Sequence, residues 1–126
     1  GGDRRQKGQR EINEGVKRYR IGNDIHVNWK VKKNGSPADL GDKQIVIYLT
    51  HEKGRQLIRD ITIEGDSISF VIEGQMQTAL GKYTITLDAR YTTGKRYLIQ
   101  DKCGAFELVA RSCIENTEDS NYKLYI

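Results

Sequence analysis

Polar and apolar side chains alternate along much of this chain with a period of two. In DIHVNWKVK, residues 24–32, Ile25, Val27, Trp29 and Val31 alternate with Asp24, His26, Asn28 and Lys30. Successive side chains of an extended strand project to opposite faces, so the apolar set lines one face and His26 falls on the wet one. The same rhythm returns in SISFVIE (67–73), with Ile68, Phe70 and Ile72 inward and Ser67, Ser69, Val71 and Glu73 outward. It returns again in KYTITLDARY (82–91), where Tyr83, Ile85, Leu87, Ala89 and Tyr91 share a face. VKRYRI (16–21), LIRDITI (57–63, one short strand or two), RYLIQ (96–100) and GAFELVARS (104–112) read as further strands. QIVIYLT (44–50) is apolar on both faces, as a central strand is.

Turn residues cut these runs. Gly22-Asn23 ends the first, and the loop 33–42 carries Asn34-Gly35 and the only proline, Pro37. Gly54 sits in a hairpin turn, Glu64-Gly65-Asp66 makes another, 74–81 is a loop, and Gly94 closes the hairpin TTGK. No stretch carries helical spacing. Seven or eight short strands, with turn signals at intervals of about 8–12 residues, predict an all-β, immunoglobulin-like antiparallel β-sandwich. Gly81-Lys82-Tyr83 opens a late strand, the place where such sandwiches carry a tyrosine whose hydroxyl bonds back to the preceding loop. Trp29 is expected in the centre of the core. The organisation read from this pattern is a basic arm at 1–15, the sandwich at 16–112 and a C-terminal extension at 113–126. That extension is either an extra strand or an exit to something further on.

Composition fits one domain: 126 residues, 37% hydrophobic and 30% charged. Charge says more. The net charge is +4, yet residues 1–20 hold seven basic and three acidic side chains, which accounts for the whole excess. The body has no net basic charge to track phosphates, so no nucleic-acid partner is expected, and the arm reads as a solvated tail or docking segment. No run of about 18 apolar residues exists, so no membrane span is expected. No apolar stretch follows the basic start, so no export signal is expected. The opening Gly1-Gly2, without Met, reads as an added or processed end.

Cys103 and Cys113 flank a predicted strand. Extended chain at roughly 3.3 Å per residue puts them some 30 Å apart, too far for a disulfide. Two free thiols and a reducing compartment of assembly are expected. His26 and His51 have no Cys or carboxylate at metal spacing, so no metal site is expected. No nucleophile with a base, no paired carboxylates in an apolar setting and no phosphate-cradling glycine loop is present, so no catalytic residue and no cofactor is assigned. Glu118-Asp119, near Asn116 and Asn121, reads as a solvated turn rather than a Ca²⁺ site, and the sequon Asn34-Gly35-Ser36 as a chance match. Tyr19, Tyr48, Tyr97, Tyr122 and Tyr125 exceed what one core needs, so some are expected to form a surface for a sugar or a protein. Which residues bind is not legible.

The order of several short strings carries a resemblance. Gly22 to Trp29 (G-N-D-I, then alternation with Trp), Asp39-Leu40, Ile45 to Leu49, Ile63 to Phe70, Gly81 to Leu87 and Cys103 to Val109 follow one another over residues 19–112. Together they resemble the N-terminal immunoglobulin-like module of phage and prophage tail or baseplate proteins of the type common in Bacteroidetes genomes. More loosely, the chain is similar to the N-terminal domain of baseplate upper proteins. The resemblance implies a non-enzymatic part of the virion, assembled in the bacterial cytoplasm. It implies anchoring of a fibre or receptor-binding assembly to other tail or baseplate proteins, usually as a homo-oligomer, through sheet edges and terminal arms. Residues 1–18 would then be the docking element and 113–126 would lead into a shaft or fibre. The family pattern runs on into a longer C-terminal part, whereas this sequence stops at Ile126; either it is a fragment, or it is complete and the anchor-plus-fibre reading weakens. The rival reading keeps the fold and makes the chain an immunoglobulin-like carbohydrate-binding or adhesion module with a Tyr-rich face.

Overall fold

The computed structural model of the chain describes residues 16–111 and 121–126. The arm at 1–15, residues 112–120 and with them Cys113 and Glu118-Asp119 lie outside the described residues. Eleven strands are described: β1 (Lys17–Arg20), β2 (Asp24–Lys30), β3 (Lys32–Lys33), β4 (Ser36–Pro37), β5 (Gln44–His51), β6 (Gly54–Ile58), β7 (Ile61–Glu64), β8 (Ser67–Ile72), β9 (Gly81–Arg90), β10 (Arg96–Val109) and β11 (Asn121–Tyr125). They form a five-stranded sheet in the order β1-β10-β9-β5-β6, a four-stranded sheet in the order β11-β2-β8-β7, and the small ribbon β3-β4. The all-β sandwich is as expected.

The expectation of a purely antiparallel fold is corrected at both ends of the chain. β1 runs parallel to β10, and β11 runs parallel to β2. Neither strand is joined to its neighbour by a hairpin, and alternation of side chains carries no information on strand direction. The strand count is corrected too. RYLIQ and GAFELVARS are one 14-residue strand, β10, because Asp101 and Lys102 between them stay in the ladder. The register slips between Lys102 and Phe106, and Gly104 there has φ of 59°. The irregularity is a bulge, not a reversal. LIRDITI splits in two: β6 ends at Ile58 in one sheet, Arg59-Asp60 crosses over, and β7 starts at Ile61 in the other. Asn34 (φ 54°) and Gly35 (φ 83°) make the two-residue turn of the β3–β4 hairpin, where both central residues need positive φ. Residues 121–125 of the segment assigned to a C-terminal extension are a strand of the sandwich itself.

Alternation decides the core. Ile25, Val27 and Trp29 of β2, Ile68, Phe70 and Ile72 of β8, and Leu124 of β11 face inward from the four-stranded sheet and are buried. Ile47 and Leu49 of β5, Tyr83, Ile85, Leu87 and Ala89 of β9, and Phe106 and Leu108 of β10 meet them from the other sheet. Full burial of such side chains contributes about 1.5–3 kcal/mol each, which makes this contact the main source of stability. Tyr91 departs from the shared face expected for it: it lies just past β9 and is 44% exposed. Leu40 plugs one end of the sandwich at full burial, and the neighbouring Asp39 N–H donates to the Tyr97 hydroxyl at 2.9 Å. One side of the sandwich is closed by the β6–β7 crossover. On the other side Tyr19 of β1 donates its hydroxyl to the Lys123 carbonyl of β11 at 2.9 Å and stacks on Tyr122 at 4.7 Å, tying the edge of one sheet to the edge of the other.

Candidate functional site

The outward face of the four-stranded sheet is where the structure gathers polar side chains into a concave surface. Because β11 is in register with β2, β2 with β8 and β8 with β7, Tyr125, Asn28, Ser69 and Thr62 form one row across all four strands. Lys123, His26 and Val71 form the next. Both rows line a groove of about 860 Å³, walled on one side by Leu57 of β6 and by Arg59 and Asp60 of the β6–β7 crossover, and at one end by Glu73 and Met76. Asn28 Nδ2 donates to Ser69 Oγ at 3.1 Å, fixing both side chains on the floor. Two cations, Arg59 and Lys123, face two anions, Asp60 and Glu73, so the lining carries no net charge with His26 neutral. The Tyr125 side chain stands at the rim, 72% exposed.

His26 is therefore on the wet face, as the alternation predicts, and it lies in the groove. His51 does something else. Its Nδ1 accepts the Lys53 N–H at 3.1 Å, which leaves Nε2 as the protonated nitrogen, donating to the Leu80 carbonyl at 2.7 Å. Its ring lies 4.8 Å from that of Tyr83, and Gly81 (φ 115°) passes so close that a Cβ there would meet Nε2 at 3.1 Å. His51 is thus a fold residue that pins the loop before β9. Among the described residues no group of three His, Cys, Asp or Glu side chains could hold a metal. No described helix is long and apolar enough to cross a membrane. Cys103 is an exposed free thiol within the β10 bulge.

The structure distributes the five tyrosines over several places. Tyr19 is buried in the seam beside Tyr122. Tyr48 lies under the Arg55 guanidinium at 4.5 Å on the opposite sheet. Tyr97 packs edge-on to Tyr91 at 5.4 Å, and the two rings cover the Lys43 ammonium at 4.4 and 5.2 Å. Lys43 also bonds Asp42 at 2.6 Å. That bond holds the Asp42 carboxyl below its ordinary value and lifts the ammonium above its own. Only Tyr125, of the five, reaches the groove. The tyrosine corner is present as expected: Tyr83 donates to the Ala79 carbonyl at 2.6 Å. Burial pushes the hydroxyls of Tyr83 and Tyr19 above the ordinary tyrosine value. At another corner Lys30, Lys32 and Lys102 border a smaller hollow of about 420 Å³ shared with Asp101 and Gln100.

Sequence reasoning placed His26, Asn28, Ser69 and Val71 on an outward face. It missed Leu57, Arg59 and Asp60, because their part in the groove depends on a crossover between sheets that periodicity does not register.

No family model matches the chain, and no curated protein matches it. Among solved structures it is similar to the N-terminal domain of phage TP901-1 ORF48, with a TM-score of 0.50 and 15% sequence identity over 78% of this chain and 86% of that one. At that identity the likeness is one of fold.

Proposed function

We propose that this chain is a non-enzymatic structural module of a phage or prophage tail or baseplate, anchoring a fibre or receptor-binding assembly through contacts with neighbouring tail proteins. The observation that carries the reading is the shared fold with the N-terminal domain of phage TP901-1 ORF48 across most of both chains. The ordered strings from Gly22 to Val109 support it from the sequence side, and the tyrosine corner at Tyr83 supports an immunoglobulin-like sandwich. On this reading the protein works in the virion as one of several identical copies, and its parts are judged by the contacts they make, not by turnover. The test is mass spectrometry of purified phage-like particles from the induced source strain, following the tryptic peptide DITIEGDSISFVIEGQMQTALGK, residues 60–82. Recovery at an abundance comparable with known tail proteins is the expected result. Its absence from intact particles, with the protein recovered elsewhere in the cell, overturns the reading.

A further inference from the structure

The geometry points to a saccharide-binding groove on the outward face of the four-stranded sheet, one that takes a short neutral oligosaccharide with a sugar ring stacked on Tyr125. The inference is independent of the tail reading, since it rests on the groove alone. Its volume of about 860 Å³ lies within the range of small-ligand sites. The row Tyr125, Asn28, Ser69, Thr62 crosses three inter-strand steps of about 4.8 Å, so the floor is about 14 Å long. An elongated ligand matches that shape better than a compact one.

The chemistry narrows the class. Asn28, Ser69, Thr62 and His26 offer amide, hydroxyl and imidazole groups, each able to donate and accept, which is what a ring of sugar hydroxyls requires. The lining is balanced in charge, so a phosphate polymer or an acidic peptide finds no uncompensated cations there. Tyr125 supplies the remaining element, a flat apolar ring with a polar tip, 72% exposed at the rim. The rings of Tyr19, Tyr48, Tyr91 and Tyr97 are each engaged by a neighbouring ring or cation, so they compete poorly for the part.

The experiment is an amide-shift titration of the full chain with neutral oligosaccharides of glucose, mannose, galactose, xylose and N-acetylglucosamine, each used separately, with a sulfated heparin oligosaccharide alongside. At least one neutral sugar is expected to shift the amides of His26, Asn28, Ser69 and Tyr125. Tyr125→Ala is expected to weaken that binding by about tenfold while leaving the melting temperature unchanged, because it removes a stacked ring from an exposed position. Tyr125→Phe keeps the ring and is expected to keep most of the affinity. Ile99→Ala, at an exposed site on the other sheet, is expected to change nothing. Binding by none of the neutral sugars, binding that Tyr125→Ala leaves intact, or preference for the sulfated probe overturns the inference. So does movement of the same amides with protein concentration alone, which would make the face a contact between copies of this chain.

Discussion

At the scale of single residues, the turn between β1 and β2 shows how little freedom some positions have. Gln77, buried at 8% exposure, accepts the Gly22 N–H at 2.7 Å and donates to the Asn23 carbonyl at 2.7 Å. Asp24 Oδ1 accepts the Gly74 N–H at 2.8 Å. The short loop after β8 is thereby sewn to the turn before β2. Gly74 lies so close to Gly22 that a Cβ would overlap the Gly22 carbonyl, and backbone on both sides cannot give way cheaply. Gly74→Ala is therefore expected to destabilise the fold by about 1–3 kcal/mol, or to prevent folding, as overpacked sites do. Gln77→Ala removes the amide that serves the Gly22 N–H and the Asn23 and Ile72 carbonyls, and is expected to cost about 1–3 kcal/mol. Urea unfolding checks both, and the pair is expected to be non-additive because the two residues serve one junction. Trp29, fully buried, is expected to emit at shorter wavelength than indole in water; emission like free indole would contradict the core described here.

At the scale of elements, the strand β11 is the informative one. It adds a parallel edge to β2 and buries Leu124 at 2% exposure. The Lys30 N–H donates to the Ile126 carbonyl at 2.9 Å, and the Ile126 N–H to the Asn28 carbonyl at 2.9 Å. Leu124→Ala is expected to cost about 2–5 kcal/mol, the usual range for a buried leucine. A chain ending before residue 121 is expected to lose slow hydrogen exchange at the Lys30 amide, whose acceptor is gone. If Lys30 stays protected without β11, the parallel pairing is not what holds the edge. The Tyr19 clasp to Lys123 predicts that the loss spreads to β1 as well.

At the scale of the whole molecule, the two raised tyrosines are expected to contribute to the alkaline limit of stability. In the fold the buried hydroxyls of Tyr19 and Tyr83 keep their protons at pH values where the unfolded chain has released them. The folded state then binds more protons than the unfolded one, so stability falls as pH rises above about 10. Tyr83→Phe is expected to lower stability at neutral pH by about 1 kcal/mol through loss of the bond to Ala79, and to flatten the alkaline decline. Melting temperatures across the alkaline range read both effects, and an unchanged slope would show that Tyr83 does not set the limit. The Asp42–Lys43 pair acts at both extremes. Its contribution is lost as pH falls through the lowered Asp42 value and again as pH rises through the raised Lys43 value, and solvent screening keeps it small.

The sequence by itself determined which side chains enter the core, because a period of two assigns each residue of β2, β8 and β9 to one face without knowledge of its neighbours. It also determined the turns at Asn34-Gly35 and Gly94 and the corner at Tyr83, since these rest on local backbone chemistry. Strand direction, the fusion of two runs into β10 and the place of β11 were decided only by tertiary pairing, in which β11 lies beside β2 from nearly a hundred residues away. The groove belongs wholly to that second class. His26, Asn28 and Ser69 were legible as outward residues, but Tyr125 and Arg59-Asp60 joined them only when a parallel edge strand and a crossover between sheets closed the surface. Local pattern fixes which way a side chain faces; only the packed sheet fixes what stands beside it.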